Sequence, residues 1–202
     1  RDFRVAPDVL GAAGIGPADP VLAVLPGSRR AVVRRGAPVL CEAARRVVAG
    51  TPGLRVVIPV AKPAVRDAIA TACARVGLAA VLTDGGAATV LARSRAALVT
   101  SGTASLEAAI LGVPAVVFYK IAAWQAPLPA LLLRSRFIAM PNLIAGRAIM
   151  PEFLQARGDP ARLAAAVLPL LRDGPERAAA TGALRRVVEA FGPPGAADRA
   201  AA

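Results

Sequence analysis

The chain of 202 residues contains no histidine. Histidine is the side chain whose ordinary pKa lies near neutrality. Its absence removes a histidine general base, a Ser-His-Asp triad and histidine metal ligation from this chain. Aromatic residues make up only 3% of it, against a hydrophobic fraction of 56%. The core must therefore be built from Ala, Val, Leu and Ile. One Trp and one Tyr leave little for stacking on bases. No nucleic-acid motif appears either, so no nucleic-acid partner is expected. Cys41 and Cys73 are the only cysteines, too few for a zinc motif or a disulfide framework. Both sit in helix-like apolar settings and read as small buried hydrophobes in a reducing compartment. No stretch reaches the roughly 18 uninterrupted apolar residues of a spanning helix. The longest candidate, between Glu107 and Lys120, is interrupted by Gly112 and Pro114 and reads as a buried helix followed by a buried strand. No signal-peptide pattern stands at the start. The absence of an initial methionine, with the Gly/Pro/Ala-rich opening, makes residues 1–20 an expected connector from a preceding domain.

Lysine is nearly absent too: Lys62 and Lys120 are the only two, so arginine supplies almost all of the formal net charge of +12. Arginines cluster at Arg29, Arg30, Arg34 and Arg35, at Arg45 and Arg46, and around Arg134 and Arg136. Such a surface favours phosphate groups or acidic lipid head groups. The competing reading is an arginine-rich solvated face.

What is present alternates between strand and helix. "VLAVL" (21–25), "LRVVIPV" (54–60), "AAVLT" (79–83), "AALVT" (96–100) and "PAVVFY" (114–119) read as five buried strands. Arg30–Ala49, the Pro63-to-Gly77 segment and "AATVLARS" (87–94) read as helices between them. Continuous apolar strands separated by helices imply an α/β fold: a Rossmann-like parallel sheet with helices on both faces. Beyond Tyr119 the pattern loosens. "AMPNLIAGRAIMPEFLQA" reads as loop-rich, and two helices, near Asp159 to Arg172 and Pro175 to Phe191, close the domain. The expected division is a connector (1–20), a Rossmann-like domain (21–191) and a tail (192–202).

In an open parallel sheet, ligands bind beyond the carboxyl ends of the strands. Two loops leave such ends with unusual composition. In "LPGSRR", Gly27 permits close backbone approach, Ser28 is placed to cap the next helix and Arg29 supplies a forked cation. In "TSGTASLE", Ser101, Gly102 and Thr103 open a helix whose free N–H groups attract a phosphate. Glu107, one turn on, is placed to accept hydrogen bonds from a ribose diol. Each loop alone is equally an ordinary capped junction. A third stretch, "MPNLIAGR", offers Asn142 to a ligand amide or hydroxyl and Arg147 to an anion. Glu152 and Gln155 would share a face if "MPEFLQ" were helical.

Taken in order, "LPGSR", "SGTASLEAAILGVPAVVFYK" and "PNLIAGR…PEFLQ" resemble the carboxyl-terminal half of the lipid-A-disaccharide synthases, which are GT-B glycosyltransferases. The resemblance runs from about Val21 to Phe191. It implies transfer of 2,3-diacylglucosamine from its UDP donor to 2,3-diacylglucosamine 1-phosphate, giving a β-1,6 disaccharide with inversion and releasing UDP. It implies no metal and no cofactor. Arg29, Ser101, Gly102 and Thr103 would face the diphosphate and Glu107 the ribose. Asn142, Arg147 and Gln155 would lie near the donor sugar. The general base is expected in a preceding domain, so no catalytic residue is assigned here and the isolated chain is expected not to turn over. A glutamate usual in the family's first motif is replaced by Val32. "IAAWQAPLPALLLRSR" suits acyl chains or an anionic membrane surface, with Trp124, Arg134 and Arg136 as contacts. A core helix is the competing reading. The implied location is cytoplasmic and peripheral on the inner membrane of a Gram-negative bacterium, with homodimerisation left open. An enzyme resembling UDP-N-acetylglucosamine 2-epimerase, another GT-B UDP-sugar enzyme, or a non-catalytic nucleotide-binding module are the alternatives.

Overall fold

The computed structural model describes residues 9–100, 102–119, 137–154 and 159–190. Six parallel strands form one sheet: β1 (Val21–Leu25), β2 (Arg55–Val60), β3 (Ala80–Asp84), β4 (Ala96–Thr100), β5 (Ala115–Tyr119) and β6 (Glu152–Leu154). Their spatial order is β3-β2-β1-β4-β5-β6. The chain thus builds outward from β1 to β3, returns to β4 on the other side of β1, and builds outward again. In register, Leu22 faces both Val56 and Ala96.

Seven helices surround this sheet among the described residues: α1 (Arg30–Ala49), α2 (Arg66–Val76, preceded by a 3-10 turn at Pro63–Val65), α3 (Ala87–Ala92), α4 (Thr103–Ile110), α5 (Met140–Ala145), α6 (Pro160–Leu171) and α7 (Pro175–Ala190). Side chains alternate across a strand, so each strand feeds two cores. Leu22, Val24, Val56, Ile58, Leu98, Val116 and Phe118 pack with α1, α2 and α6 on one face. Val21, Ala23, Val57, Ala97, Val99 and Val117 pack with α3, α4 and Leu184 of α7 on the other. Burial on both faces is why the strands read as unbroken apolar runs rather than alternating ones. The five expected strands are all present, with ends displaced by at most one residue. The sixth, and helix α5, lie in the segment expected to be loop-rich. Three residues of strand carry too little pattern to be seen in sequence.

With few aromatics, the core relies on close approach of small residues. Ala23, Ala37, Ala43, Ala44 and Ala97 are all fully buried. α1 carries Gly36 in its buried face, over the end of β4. A Cβ there would stand 2.9 Å from Cγ2 of Thr100. That glycine lets the helix sit directly on the strand end. At the opposite edge, Arg95 donates to the Leu171 carbonyl at 2.7 Å, and Arg177 donates to the Leu170 carbonyl at 2.6 Å. Two guanidinium groups thereby satisfy the last carbonyls of α6, which have no partner within the helix. The N-terminus of α6 is capped by Asp159, whose carboxylate accepts from the Ala161 N–H at 2.9 Å.

Gly36→Ala tests the close approach. On an exposed helix the change would gain about 1 kcal/mol. Here the added methyl group meets Thr100, and a net loss of about 1–3 kcal/mol is expected from urea unfolding. Thr100→Ser, which removes the opposing methyl, should recover most of that loss in the double variant.

Candidate functional site

The order of the sheet reverses between β1 and β4, and the loops after these two neighbouring strands meet there. Such a reversal opens a crevice at the carboxyl edge of the sheet. Thr100, the last residue of β4, is buried, and its hydroxyl donates to the Leu25 carbonyl at 3.3 Å. Gly27 turns the chain with φ +102°, and a Cβ there would lie 3.0 Å from Val32 Cγ1 and 3.1 Å from Thr100 Oγ1. Thr100 thus couples the two loops. It escaped sequence reasoning, although a polar residue ending an otherwise apolar strand was the available signal. Val32, in place of the expected glutamate, packs its methyl behind the turn.

Both helices leaving this crevice begin without a side-chain cap. The N-cap of α1 is Arg29, and no side chain bonds its first turn. The expected Ser28 cap is therefore not made: the helix begins at Arg30 as expected, which puts Arg29 rather than Ser28 at the N-cap, and Ser28 is exposed. The N-cap of α4 is Gly102, at φ 147° and ψ −156°, a region open essentially to glycine alone. The Ser105 hydroxyl donates to the Gly102 carbonyl at 2.8 Å and does not cap the leading N–H groups. Arg29, Gly102 and Thr103 are all exposed. α1 has no acidic residue in its first turn, yet Arg29, Arg30, Arg34 and Arg35 crowd its start. Cations there oppose the helix dipole. A bound anion reverses the sign of that arrangement. Arg30 also reaches the Ala64 carbonyl at 3.3 Å, joining α1 to the connection after β2.

Glu107, one turn into α4, is half-buried, and burial raises its carboxyl pKa above the ordinary value. No described residue gives it a hydrogen bond or an ion pair. A carboxylate removed from water without a partner is unfavourable, and such groups concentrate at binding sites.

The third stretch behaves differently from expectation. Asn142 is fully buried. Its amide nitrogen donates to the Met150 carbonyl at 2.7 Å and to Glu152 Oε1 at 2.6 Å. Its amide oxygen accepts from the N–H groups of Ile149 and Met150, both at 2.8 Å. Every hydrogen-bonding position of the amide is engaged inside the fold, so Asn142 reads its own loop rather than a ligand. Glu152 lies on strand β6, not on a helix, because the segment completes the sheet beside β5. Its carboxylate accepts from the Ile138 and Ala139 N–H groups at 2.9 and 3.0 Å, anchoring the start of α5. The helix on which Glu152 would have shared a face with Gln155 is strand at Glu152–Leu154, and Gln155 itself lies outside the described residues. Arg147 is exposed just after α5. Ser101, Gln155, Trp124, Arg134 and Arg136 lie outside the described residues. Among the described residues, no three His, Cys, Asp or Glu side chains gather as a metal would require, and no helix is long and apolar enough to cross a membrane.

Comparison with known proteins identifies the family. A family model described as lipid-A-disaccharide synthetase matches residues 9–194. A lipid-A-disaccharide synthase of Myxococcus xanthus is 39% identical over 182 residues, covering 90% of this chain and 48% of that protein. One from Anaeromyxobacter dehalogenans is 39% identical over 191 residues, 94% of this chain and 50% of the relative. The chain therefore spans about half the length of the curated relatives it matches. Among solved structures, sucrose-phosphate synthase from Thermosynechococcus elongatus superposes with a TM-score of 0.57 at 18% identity, covering 91% of this chain and 44% of that one. At that identity the likeness speaks for the fold alone, a parallel sheet with helices on both faces.

The structural assignment of Asn142 has a direct check. Asn142→Ala deletes four hydrogen bonds and leaves buried backbone groups unpaired, so a loss of about 2–4 kcal/mol is expected in denaturant unfolding. Unchanged stability with weakened nucleotide binding would instead make Asn142 a ligand contact.

Proposed function

The chain belongs to the lipid-A-disaccharide synthetase family, and from that premise we propose that it is the donor-binding half of a hexosyltransferase. The proposed reaction transfers 2,3-diacylglucosamine from its UDP donor to 2,3-diacylglucosamine 1-phosphate, with inversion to a β-1,6 link and release of UDP. The observation that carries this reading is the crevice between β1 and β4. Two uncapped helix N-termini begin there on neighbouring loops, α1 brings cations against its own dipole, and Glu107 is desolvated without a described partner.

In this reading the diphosphate lies across the starts of α1 and α4. It accepts hydrogen bonds from the leading N–H groups and is paired by Arg29, with Ser101, Gly102 and Thr103 on the α4 side. Small residues there let the backbone approach the phosphate oxygens. Glu107 accepts from the ribose diol. As the donor bond breaks, negative charge builds on the departing UDP. Fixed N–H dipoles and a guanidinium stabilise that charge without reorganising. This half holds the leaving group. The base that takes the acceptor hydroxyl proton would come from outside these residues, so the chain alone binds UDP without turnover. Arg147 and Gln155 are proposed near the donor sugar, and Asn142 contributes only by shaping that loop.

The substrates are acylated, and apolar surface stands near at hand. Met140, Leu143 and Ile144 are each at least 40% exposed, at helical spacing along α5. Together with Trp124, Arg134 and Arg136, they are proposed to meet acyl chains and anionic head groups at the cytoplasmic face of a Gram-negative inner membrane. Membership of the synthetase family favours transfer over epimerisation.

Calorimetry with UDP tests the ribose assignment. Glu107→Gln should weaken binding about 10- to 100-fold, the worth of hydrogen bonds to a charged group. UDP lacking its ribose 2′-hydroxyl should show a smaller difference between the two forms. Equal UDP affinity for wild type and variant rejects the assignment. The pH dependence has a definite sign. Burial raises the carboxyl pKa in the fold, so ionisation of Glu107 is a penalty on folding. That penalty is absent below the unfolded value, grows as pH rises through it and is complete above the folded value. Glu107→Gln should therefore be the more stable protein at neutral pH, and the gap should close in acid. For the surface, flotation with anionic liposomes should be lost when Trp124, Arg134 and Arg136 are replaced together. Undiminished flotation rejects that contact.

A further inference from the structure

The two cysteines lie 32 residues apart in sequence and on different helices, yet their sulfur atoms are 3.6 Å apart. Cys41 is on the buried face of α1, and Cys73 is near the end of α2. Both thiols are free, Cys41 fully buried and Cys73 6% exposed. Two small hydrophobes would fill this space without bringing sulfur to sulfur. A disulfide needs the sulfurs about 2.05 Å apart, so closure asks for a movement of about 1.5 Å or a change of rotamer between two packed helices. We propose that Cys41 and Cys73 are a reversible dithiol–disulfide pair that staples α1 to α2 under oxidising conditions.

The chemistry needs a two-electron oxidant, for which a hydroperoxide serves. The Cys73 sulfur, the more accessible of the two, attacks the peroxide. An S–O bond forms, the O–O bond breaks, and one water leaves. The Cys41 sulfur then attacks the Cys73 sulfur. The S–S bond forms, the S–O bond breaks, and the departing hydroxide takes the Cys41 proton as a second water. Two thiols are oxidised and one peroxide is reduced to two waters. The hydrogen bond between the thiols, followed by burial, raises the pKa of Cys41, while the same bond lowers that of Cys73. The order of events follows, because the thiolate is the nucleophile. A small-molecule thiol reverses the link by exchange.

The staple acts on the same unit that carries the basic rim. α1 begins at Arg29 and Arg30, and Arg30 bonds the Ala64 carbonyl just before α2. Oxidation would close a loop from residue 41 to 73 that contains β2 and the connection to α2. The result is a stiffer α1–α2 pair and a smaller unfolded ensemble.

The test treats the purified chain with hydrogen peroxide. Thiols titrated after denaturation should fall from two to none, and dithiothreitol should restore both. Tryptic mapping should find the peptide 36–45 joined to the peptide 67–75 within one chain. The linked form should melt roughly 5–10 °C higher than the reduced form. Cys41→Ala and Cys73→Ala should each show no internal link and no peroxide-dependent rise in melting. Mapping of the wild-type chain requires no variant to fold. Two thiols persisting in excess peroxide, links found only between chains, a sulfinic acid on Cys73 with Cys41 still free, or a linked form that melts no higher, would each overturn the proposal.

Discussion

The contact of Thr100 with Gly27 and Gly36 holds the rest of the crevice in place. β1 and β4 are neighbours but lie far apart in sequence, and each sends a loop into the same gap. Thr100 closes that gap from β4 by bonding the end of β1 and packing against both glycines. A larger residue at position 27 or 36 would push α1 away from the strand end. With α1 displaced, its first N–H groups and Arg29 would move away from the crevice. The electrostatics of the site therefore rest on a steric condition: two glycines and one short polar side chain in van der Waals contact.

Around that contact the protein retains features that do not favour folding by themselves. Four arginines gather at the positive end of α1, two helix starts lack side-chain caps, and Glu107 is desolvated without a described partner. Elsewhere the same chain satisfies comparable groups carefully. Asp159 caps α6, Arg95 and Arg177 close its far end, and Glu42 holds both Arg45 and Arg46 at 2.8 Å. Glu42 is pulled down to about 2 by its hydrogen bonds to Arg45 and Arg46. Carboxylates on one protein thus move in opposite directions, one by pairing and one by burial. Such features gathered at one crevice fit the proposed UDP site, where a ligand would complete the missing interactions.

In the segment from Ala139 to Glu152 the polar residues of a distinctive motif serve the fold itself. Asn142 and Glu152 serve the same turn from two sides. One saturates the loop before β6, and the other anchors the start of α5. Their side chains form a polar network at the sheet edge, Asn142 buried and Glu152 half-buried, where apolar residues could not satisfy the same backbone groups. The network positions Arg147 and the exposed apolar face of α5, which are the parts of the segment that a substrate could meet.

Much of this protein was legible in its sequence. Five strands and most helices followed from apolar runs and their boundaries, because burial on both sheet faces writes itself into composition. The position of two glycine- and serine-containing loops at strand ends followed from composition, and the family from three ordered motifs. The tertiary structure decided the rest. It brought Cys41 to Cys73, showed Thr100 as the link between loops, turned Asn142 and Glu152 inward and made a sixth strand of three residues. It also left Ser28 outside the helix it was expected to cap. The physical reason is common to all of these. Local pattern records which residues are buried and where the chain turns, whereas a hydrogen bond or sulfur contact between distant residues depends on how whole elements pack, and no window of sequence contains both partners.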